Sequence, residues 1–285
     1  MSSPGSLVRK KRAFIGYALS FGSVLILSLY FDLDIGPAID ALAAVTLDRA
    51  LASFSFVLLH LWLAATAFSL SLRRFDPGFD SSRNRSIWFA TLLTKYLPGG
   101  IWNPITRGGL MMADGVPLRA VTWASILEQG STFLTTILLA LGILYLARST
   151  LDSQVVALFV AFSLIFLFWL IILRIFRFTH EAPKIAACYA GSMASFALAY
   201  VAIYSPSDLL EFSSALFGAT AAGIAALPAP GGLGVRESVL AASDGSGDIS
   251  GAMAIAIAAR ALIFAAEFCL SAIHIRLYSN KFLDR

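Results

Sequence analysis

The sequence predicts an all-α integral membrane protein in which six transmembrane helices and two re-entrant helical hairpins form an inverted-topology repeat. Of its 285 residues, 58% are hydrophobic and 13% are charged, and the mean hydropathy is +0.80. These values lie outside the range of soluble domains. Six apolar windows and two strings rich in proline and glycine complete the pattern. We expect one membrane domain, 1–285, with a basic cytoplasmic tail at 1–12 and repeats at about 13–147 and 154–277.

Each apolar window is long enough for a helix to cross the hydrocarbon core, which takes roughly 20 residues. The loop after the first window is acidic and the loop after the second carries four arginines, so basic residues alternate between the two sides. This pattern predicts a multi-pass protein of the inner (cytoplasmic) membrane with both termini in the cytoplasm. The windows are 13–31, 50–72, 120–147, 155–173, 185–204 and 251–275.

The first break is the string TKYLPGGIWNPITRGG at 94–109. The apolar arm before it, 87–97, would form a helix of roughly 16 Å, which reaches about halfway across the bilayer. A full span here would place the later basic loops outside and the acidic loops inside, against the charge pattern. We therefore predict a hairpin that enters from the cytoplasm and turns at Pro98, Gly99 and Gly100, residues that favour irregular backbone.

A second break follows in the string AALPAPGGLGVRESVLAA at 225–242. An apolar arm at 209–227 leads into it, and the segment after it is too short and too charged to cross. The turn is expected at Pro230, Gly231 and Gly232. The flanking loops are acidic, so this hairpin is predicted to enter from outside.

The order of spans and hairpins is the same in both halves of the chain. Each half has three crossings, an odd number, so the second half must be inverted relative to the first. Transporters use this plan, with broken helices meeting near the midplane around a substrate site. The alternative is that a Pro-Gly-Gly turn recurs by chance in a glycine-rich membrane protein.

Three basic residues beside the turns are candidates for binding a phosphate group. Lys95 precedes the first turn, and Arg107 and Arg236 each follow a turn within a few residues. A guanidinium can hold a phosphate by two parallel hydrogen bonds, and a charge at membrane depth needs a partner or a wet cavity. The alternative is that the arginines pair with Glu128, Glu237 or Glu267 and fix the hairpins in place.

Other charges in the predicted spans suggest gating or permanent pairing. Arg260 and Glu267 are seven residues apart and share one face of the last helix. A pair between Glu128 and Arg260 across the two halves would suit a gate, and a permanent salt bridge is the alternative. His60 is a candidate proton relay or a hydrogen-bonded packing residue.

Motif searches exclude several function classes. The chain has no HExxH, CxxC, P-loop or GxSxG string, so we expect no metal, no cofactor and no catalytic residue. The net charge of +4 is explained by the basic loops, so nucleic acid is not an expected partner. Cys188 and Cys269 lie within predicted spans as packing residues.

The strings KYLPGGIW, ILEQGSTFLTTILLALG and PGGLGVRESVL, with Arg260 in the last helix, resemble the lysylphosphatidylglycerol synthase transmembrane region family. The resemblance covers nearly the whole chain beyond the tail. It implies the membrane domain that flips an aminoacylated lipid in bifunctional synthases, without the soluble aminoacyl-transferring domain. Family members often carry an arginine directly after the glutamate of the central helix, where this chain has Gln129, so the partner of Glu128 stays open.

The leading hypothesis is a translocase, or flippase, for an anionic phospholipid or polyprenyl-phosphate-linked lipid rather than an enzyme. Membrane lipids are then its partners. One alternative is a non-catalytic membrane subunit that positions a glycosyltransferase or lipid-modifying enzyme of the cell envelope. Another is an intramembrane lipid-modifying enzyme with Glu128 or His60 as general base. The sequence leaves the oligomeric state open.

Overall fold

A computed structural model describes residues 36–73, 80–97, 102–147, 154–175, 181–226, 229–243 and 249–283. These segments contain helices and no strand, in agreement with the predicted all-α class. The tail at 1–12, the predicted span at 13–31 and the turn residues Pro98, Gly99 and Gly100 lie outside the described residues.

Ten α-helices are described, and two 3₁₀ turns lie at Leu92–Tyr96 and Pro230–Gly232. In chain order the helices are α1 Gly36–Ala44, α2 Leu47–Leu72, α3 Ser81–Ala90, α4 Trp102–Ala113, α5 Leu118–Ala147, α6 Gln154–Ile175, α7 Ala182–Tyr204, α8 Leu209–Ala225, α9 Val235–Ala242 and α10 Ile249–Leu283.

Four of these helices are long and apolar enough to cross a membrane: α2, α5, α7 and, within α10, Gly251–Arg276. The chain is therefore a multi-pass membrane protein. All four coincide with predicted spans to within a few residues at their ends. A fifth predicted span, 155–173, falls on α6, where the described residues give a shorter apolar stretch, Val160–Arg174.

Shorter helices form two broken segments. The first comprises α3, the 3₁₀ turn Leu92–Tyr96 and α4, and the second comprises α8, the 3₁₀ turn Pro230–Gly232 and α9. Each begins at an aspartate cap: Asp80 accepts a hydrogen bond from the Ser82 amide (2.8 Å), and Asp208 accepts from the Leu210 amide (2.9 Å). Such caps satisfy amides that the first helical turn leaves unpaired.

The helices pack with an exchange of partners between the two halves of the chain. Helix α2 lies along α7 in the centre, α5 lies along the second broken segment at α8, and α10 lies along the first broken segment at α3. In lipid, such packing depends on close contact and interhelical hydrogen bonds. The described structure has both. A Cβ added to Gly191 would lie only 3.1 Å from Leu63 Cδ1, so glycine permits a close contact here, and the Ser214 hydroxyl donates a hydrogen bond to the Ala140 carbonyl at 2.9 Å.

Candidate functional site

Arg107 of α4 is bound by several buried polar groups. Its guanidinium forms an ion pair with Glu128 of α5 and donates to Asn103 Oδ1 at 2.7 Å and to Thr91 Oγ1 at 3.4 Å. Trp88 donates its indole N–H to the same glutamate at 2.6 Å. Arg107 is only 2% exposed. Its donors are therefore engaged within the protein, and this arginine fixes the first broken segment to α5.

A second ion pair joins the first broken segment to the last helix. Lys95 Nζ lies 2.6 Å from Glu267 Oε1, and the Tyr96 hydroxyl donates to Glu267 Oε2 at 2.8 Å. Both oxygens of this buried carboxylate are thus occupied. The two residues that bind it are 171 and 172 positions away in the chain.

Two further arginines, one on α9 and one on α10, are less completely bound. Arg260 donates from Nη2 to the Gly231 carbonyl (3.0 Å) and stacks over the Tyr96 ring at 5.4 Å. The Cζ atom of Arg236 lies 5.9 Å from the centroid of the Phe196 ring. Both Nε–H groups are buried without a hydrogen-bond partner, and within the described part of the chain neither guanidinium forms an ion pair.

The glycine turn of the second broken segment lies against these arginines. Gly231, Gly232 and Gly234 have φ values of 59°, 71° and 81°. A Cβ on Gly231 would lie 3.1 Å from the Tyr96 ring and 3.3 Å from Arg260 Nη2. The two broken segments therefore meet where the Tyr96 side chain packs on the Gly231 backbone, and a residue with a Cβ would crowd this contact.

We call Lys95, Tyr96, Glu267, Arg236, Arg260 and Glu237 the central cluster. Lys95 interacts electrostatically with the positive charges of Arg236 and Arg260, and Arg260 interacts electrostatically with the negative charge of Glu237. Glu237 accepts a hydrogen bond from the Gly234 amide at 2.8 Å, which caps α9. The cluster contains three cations, Lys95, Arg236 and Arg260, and two carboxylates, Glu237 and Glu267, so it carries one excess positive charge. Its two arginine Nε–H groups are buried hydrogen-bond donors without a partner in the described structure. This combination suits an anionic ligand.

Comparison of the chain with protein-family models, with curated proteins and with solved structures gives no match.

The candidate residues fall into distinct groups. Lys95, Arg236, Arg260 and Glu267 come together, whereas Arg107 forms a separate, internally paired site. Whether Glu128 and Arg260 pair was left open by the sequence; among the described side chains they do not, because Glu128 binds Arg107 and Arg260 binds the Gly231 carbonyl. The structure thus identifies the partner of Glu128, and for Arg107 it agrees with the alternative in which the arginine pairs with a glutamate.

His60 of α2 is a packing residue that contacts α7. Its Nδ1 lies 2.9 Å from both the carbonyl and the hydroxyl oxygens of Ser192, and its ring contacts Phe196 with 5.2 Å between centroids. No hydrogen bond joins His60 to Glu128 in the described segments. No group of three or more metal-binding side chains is found among the described residues.

Several residues of the site were not predicted from the sequence. Trp88 is 5% exposed and bound to Glu128, a position that the sequence pattern does not reveal. Tyr96 and Asn103 carry no charge, so the charge pattern gives no signal for them. One local signal exists for Asn103, which lies four residues before Arg107 and therefore shares its helix face.

Proposed function

We propose that this protein moves a lipid with an anionic headgroup, a phospholipid or a polyprenyl phosphate, between the leaflets of the cytoplasmic membrane. The headgroup would bind at Arg236 and Arg260 beside the glycine turn. We also propose that this membrane domain belongs to the lysylphosphatidylglycerol synthase transmembrane region family, on the strings quoted above.

The observation that carries the proposal is the pair of buried Nε–H groups without partners. An arginine at the bilayer centre costs roughly 2.5–3.5 kcal/mol, and an unpaired buried donor adds to that cost. Both groups lie near the same glycine turn, in a cluster with one excess positive charge, and this arrangement favours binding of an anion. A phosphate oxygen would satisfy each orphan donor, and the planar guanidinium matches phosphate geometry.

Reciprocal packing supports the finer architecture, which we propose as six spans and two re-entrant hairpins in an inverted repeat. The third crossing, α5, lies along the second broken segment, and the last crossing, α10, lies along the first. Equivalent aspartates cap the first arm of each broken segment. A two-fold relation between the halves would produce both features, and it would place broken helices around a midplane site.

For Arg107 the sequence leaves phosphate binding and pairing with a glutamate open, and its observed partners favour pairing. We propose that Arg107 and Glu128 form part of the fixed frame of the first hairpin. Lys95 would tether the same hairpin through Glu267, so that Arg236 remains the basic residue beside a turn with a donor to offer. The basic loops place both termini in the cytoplasm in this scheme.

Leaflet exchange in vesicles tests the proposal. Purified protein is reconstituted with a trace of fluorescent phosphatidylglycerol, phosphatidylcholine or polyprenyl phosphate, and a membrane-impermeant reductant reports the label that reaches the outer leaflet. We expect exchange of the anionic lipids. Arg236→Gln should slow it about 10- to 100-fold, the effect of losing one charge-assisted hydrogen bond. Arg236→Lys should recover only part of the rate.

The matched control is Arg49→Gln, which removes an exposed arginine from the start of α2 and should leave exchange unchanged. Thermal unfolding of each variant checks that the fold is intact. Absence of exchange by folded wild-type protein with all three lipids would refute the translocase. Equal exchange by wild type and Arg236→Gln would refute the assigned site.

A further inference from the structure

A groove of about 750 Å³ runs along helix α5 where it faces α6. Its lining begins at Pro117, before the first turn of α5, and continues to Leu134, a distance of roughly 25 Å at the helical rise. One leaflet contributes only about 15 Å of hydrocarbon, so the groove can hold a lipid chain along its whole length. Its volume is in the range of ordinary ligand sites, about 300–1,000 Å³.

The groove is apolar along its walls. Helix α5 contributes Trp123, Leu127 and Leu134, and helix α6 contributes Phe168 and Ile172. Trp123 is 49% exposed and Leu134 is 47% exposed, so side chains of the groove face the surroundings of the protein rather than its core. This is the environment that an acyl chain requires.

Gly130 deepens the groove. A glycine within a long helix is less stable there than alanine, and its presence usually reflects close packing. No such packing exists here, since a Cβ on Gly130 would meet no atom within 4 Å. The missing side chain therefore leaves space in the groove wall, in contrast to Gly191, which admits Leu63 at 3.1 Å.

One end of the groove carries a positive charge. Arg119 lines it and is exposed, and among the described residues it takes part in no ion pair. The amides of the first turn of α5 lie at the same end, because the helix begins at Leu118. Helix N-termini favour anions, and a basic side chain at the end of an apolar groove complements a lipid with a negative headgroup.

We infer that this groove binds an anionic glycerophospholipid, with one acyl chain along α5 and the phosphate at Arg119. The groove lies on the outer side of α5 and is separate from the central cluster. The inference holds whether or not the protein translocates lipid, because it concerns binding at equilibrium.

Photo-crosslinking tests the inference on the full chain. The protein is reconstituted in phosphatidylcholine vesicles that contain a small, equal fraction of phosphatidylglycerol or phosphatidylcholine bearing a diazirine on one acyl chain. After illumination, peptide mapping locates the adducts. We expect the phosphatidylglycerol probe to label the groove residues Leu127, Leu134 and Ile172 more strongly than the phosphatidylcholine probe, by about five-fold, the effect of one basic residue near the membrane surface.

Two variants with matched controls sharpen the test. Gly130→Phe should fill the groove and abolish its labelling, whereas Gly142→Phe, on the same helix with equally open space but outside the groove, should not. Arg119→Gln should lower labelling by phosphatidylglycerol to the phosphatidylcholine level, whereas Arg276→Gln should not.

The inference is overturned if both probes label the groove equally, or if Arg119→Gln leaves the preference intact. Labelling that persists in Gly130→Phe would also overturn it. Should Gly130→Phe fail to fold, the Arg119 comparison still decides the question. Leaflet exchange is not needed for labelling, so a negative exchange assay with specific labelling would refute the translocase alone.

Discussion

Loss of the Arg107 guanidinium should lower the free energy of unfolding, and a second substitution should restore part of it. Arg107→Met removes the ion pair to Glu128 and leaves that carboxylate buried, with only the Trp88 indole N–H as a side-chain donor. The companion substitution Glu128→Gln removes the charge but keeps an acceptor for Trp88. We therefore expect the double variant to be more stable than Arg107→Met alone.

The magnitude follows from the burial of the pair. Arg107 is 2% exposed and Glu128 is 7% exposed, so the charge left behind has little access to water. Removing one member of a buried pair costs about 3–5 kcal/mol, whereas neutralising both members leaves a deficit of about 1–2 kcal/mol from lost neutral hydrogen bonds. At roughly 2–4 °C per kcal/mol, the single variant should lose on the order of 10 °C in Tm.

Thermal unfolding in detergent, followed by circular dichroism, measures these differences. The control is Arg49→Met, which removes an exposed arginine from α2 and should leave Tm nearly unchanged. A double variant that is no more stable than Arg107→Met would contradict the reasoning, since the penalty would then not come from the uncompensated carboxylate. A Tm equal to wild type for Arg107→Met would show that the pair does not hold the segment.

Two further predictions concern the contact between the broken segments. Tyr96→Phe should cost about 1.5–3 kcal/mol in unfolding free energy, because the hydroxyl donates to the buried Glu267 carboxylate at 2.8 Å; an unchanged Tm would argue against that bond. Gly232→Ala should cost about 1–3 kcal/mol, because its Cβ would lie 2.8 Å from the Gly223 carbonyl oxygen and the residue has a φ of 71°. The matched control, Gly142→Ala, has open space in a helix and should gain about 0.5–1 kcal/mol; equal effects of the two substitutions would contradict the account.

Helix bounds were predictable wherever a long apolar run ends at a breaker. The predicted span 185–204 is observed as Ala182–Tyr204, and the short segment after the second glycine turn is observed as Val235–Ala242. The first broken segment was less predictable. Its helix begins at Ser81, six residues before the predicted arm, because the Asp80 cap starts a polar helical turn that hydropathy does not detect.

The pairing of charges could not be predicted. An arginine within an apolar segment signals that a partner or a cavity exists, but not which carboxylate will approach it. Arg107 binds Glu128, 21 residues away, whereas Lys95 binds Glu267, 172 residues away. The burial of Trp88 could not be predicted for the same reason, because its partner Glu128 lies on another helix.

Length and hydropathy thus determined that this chain is a helical membrane protein, because a helix in lipid must bond its own backbone and present about 20 apolar residues. They also located the breaks, since proline and glycine alter backbone freedom locally. Only the tertiary structure decided that Arg107 is neutralised while Arg236 and Arg260 keep buried donors without partners. That distinction depends on distances between side chains remote in sequence, which are set by how the helices pack and not by any local preference.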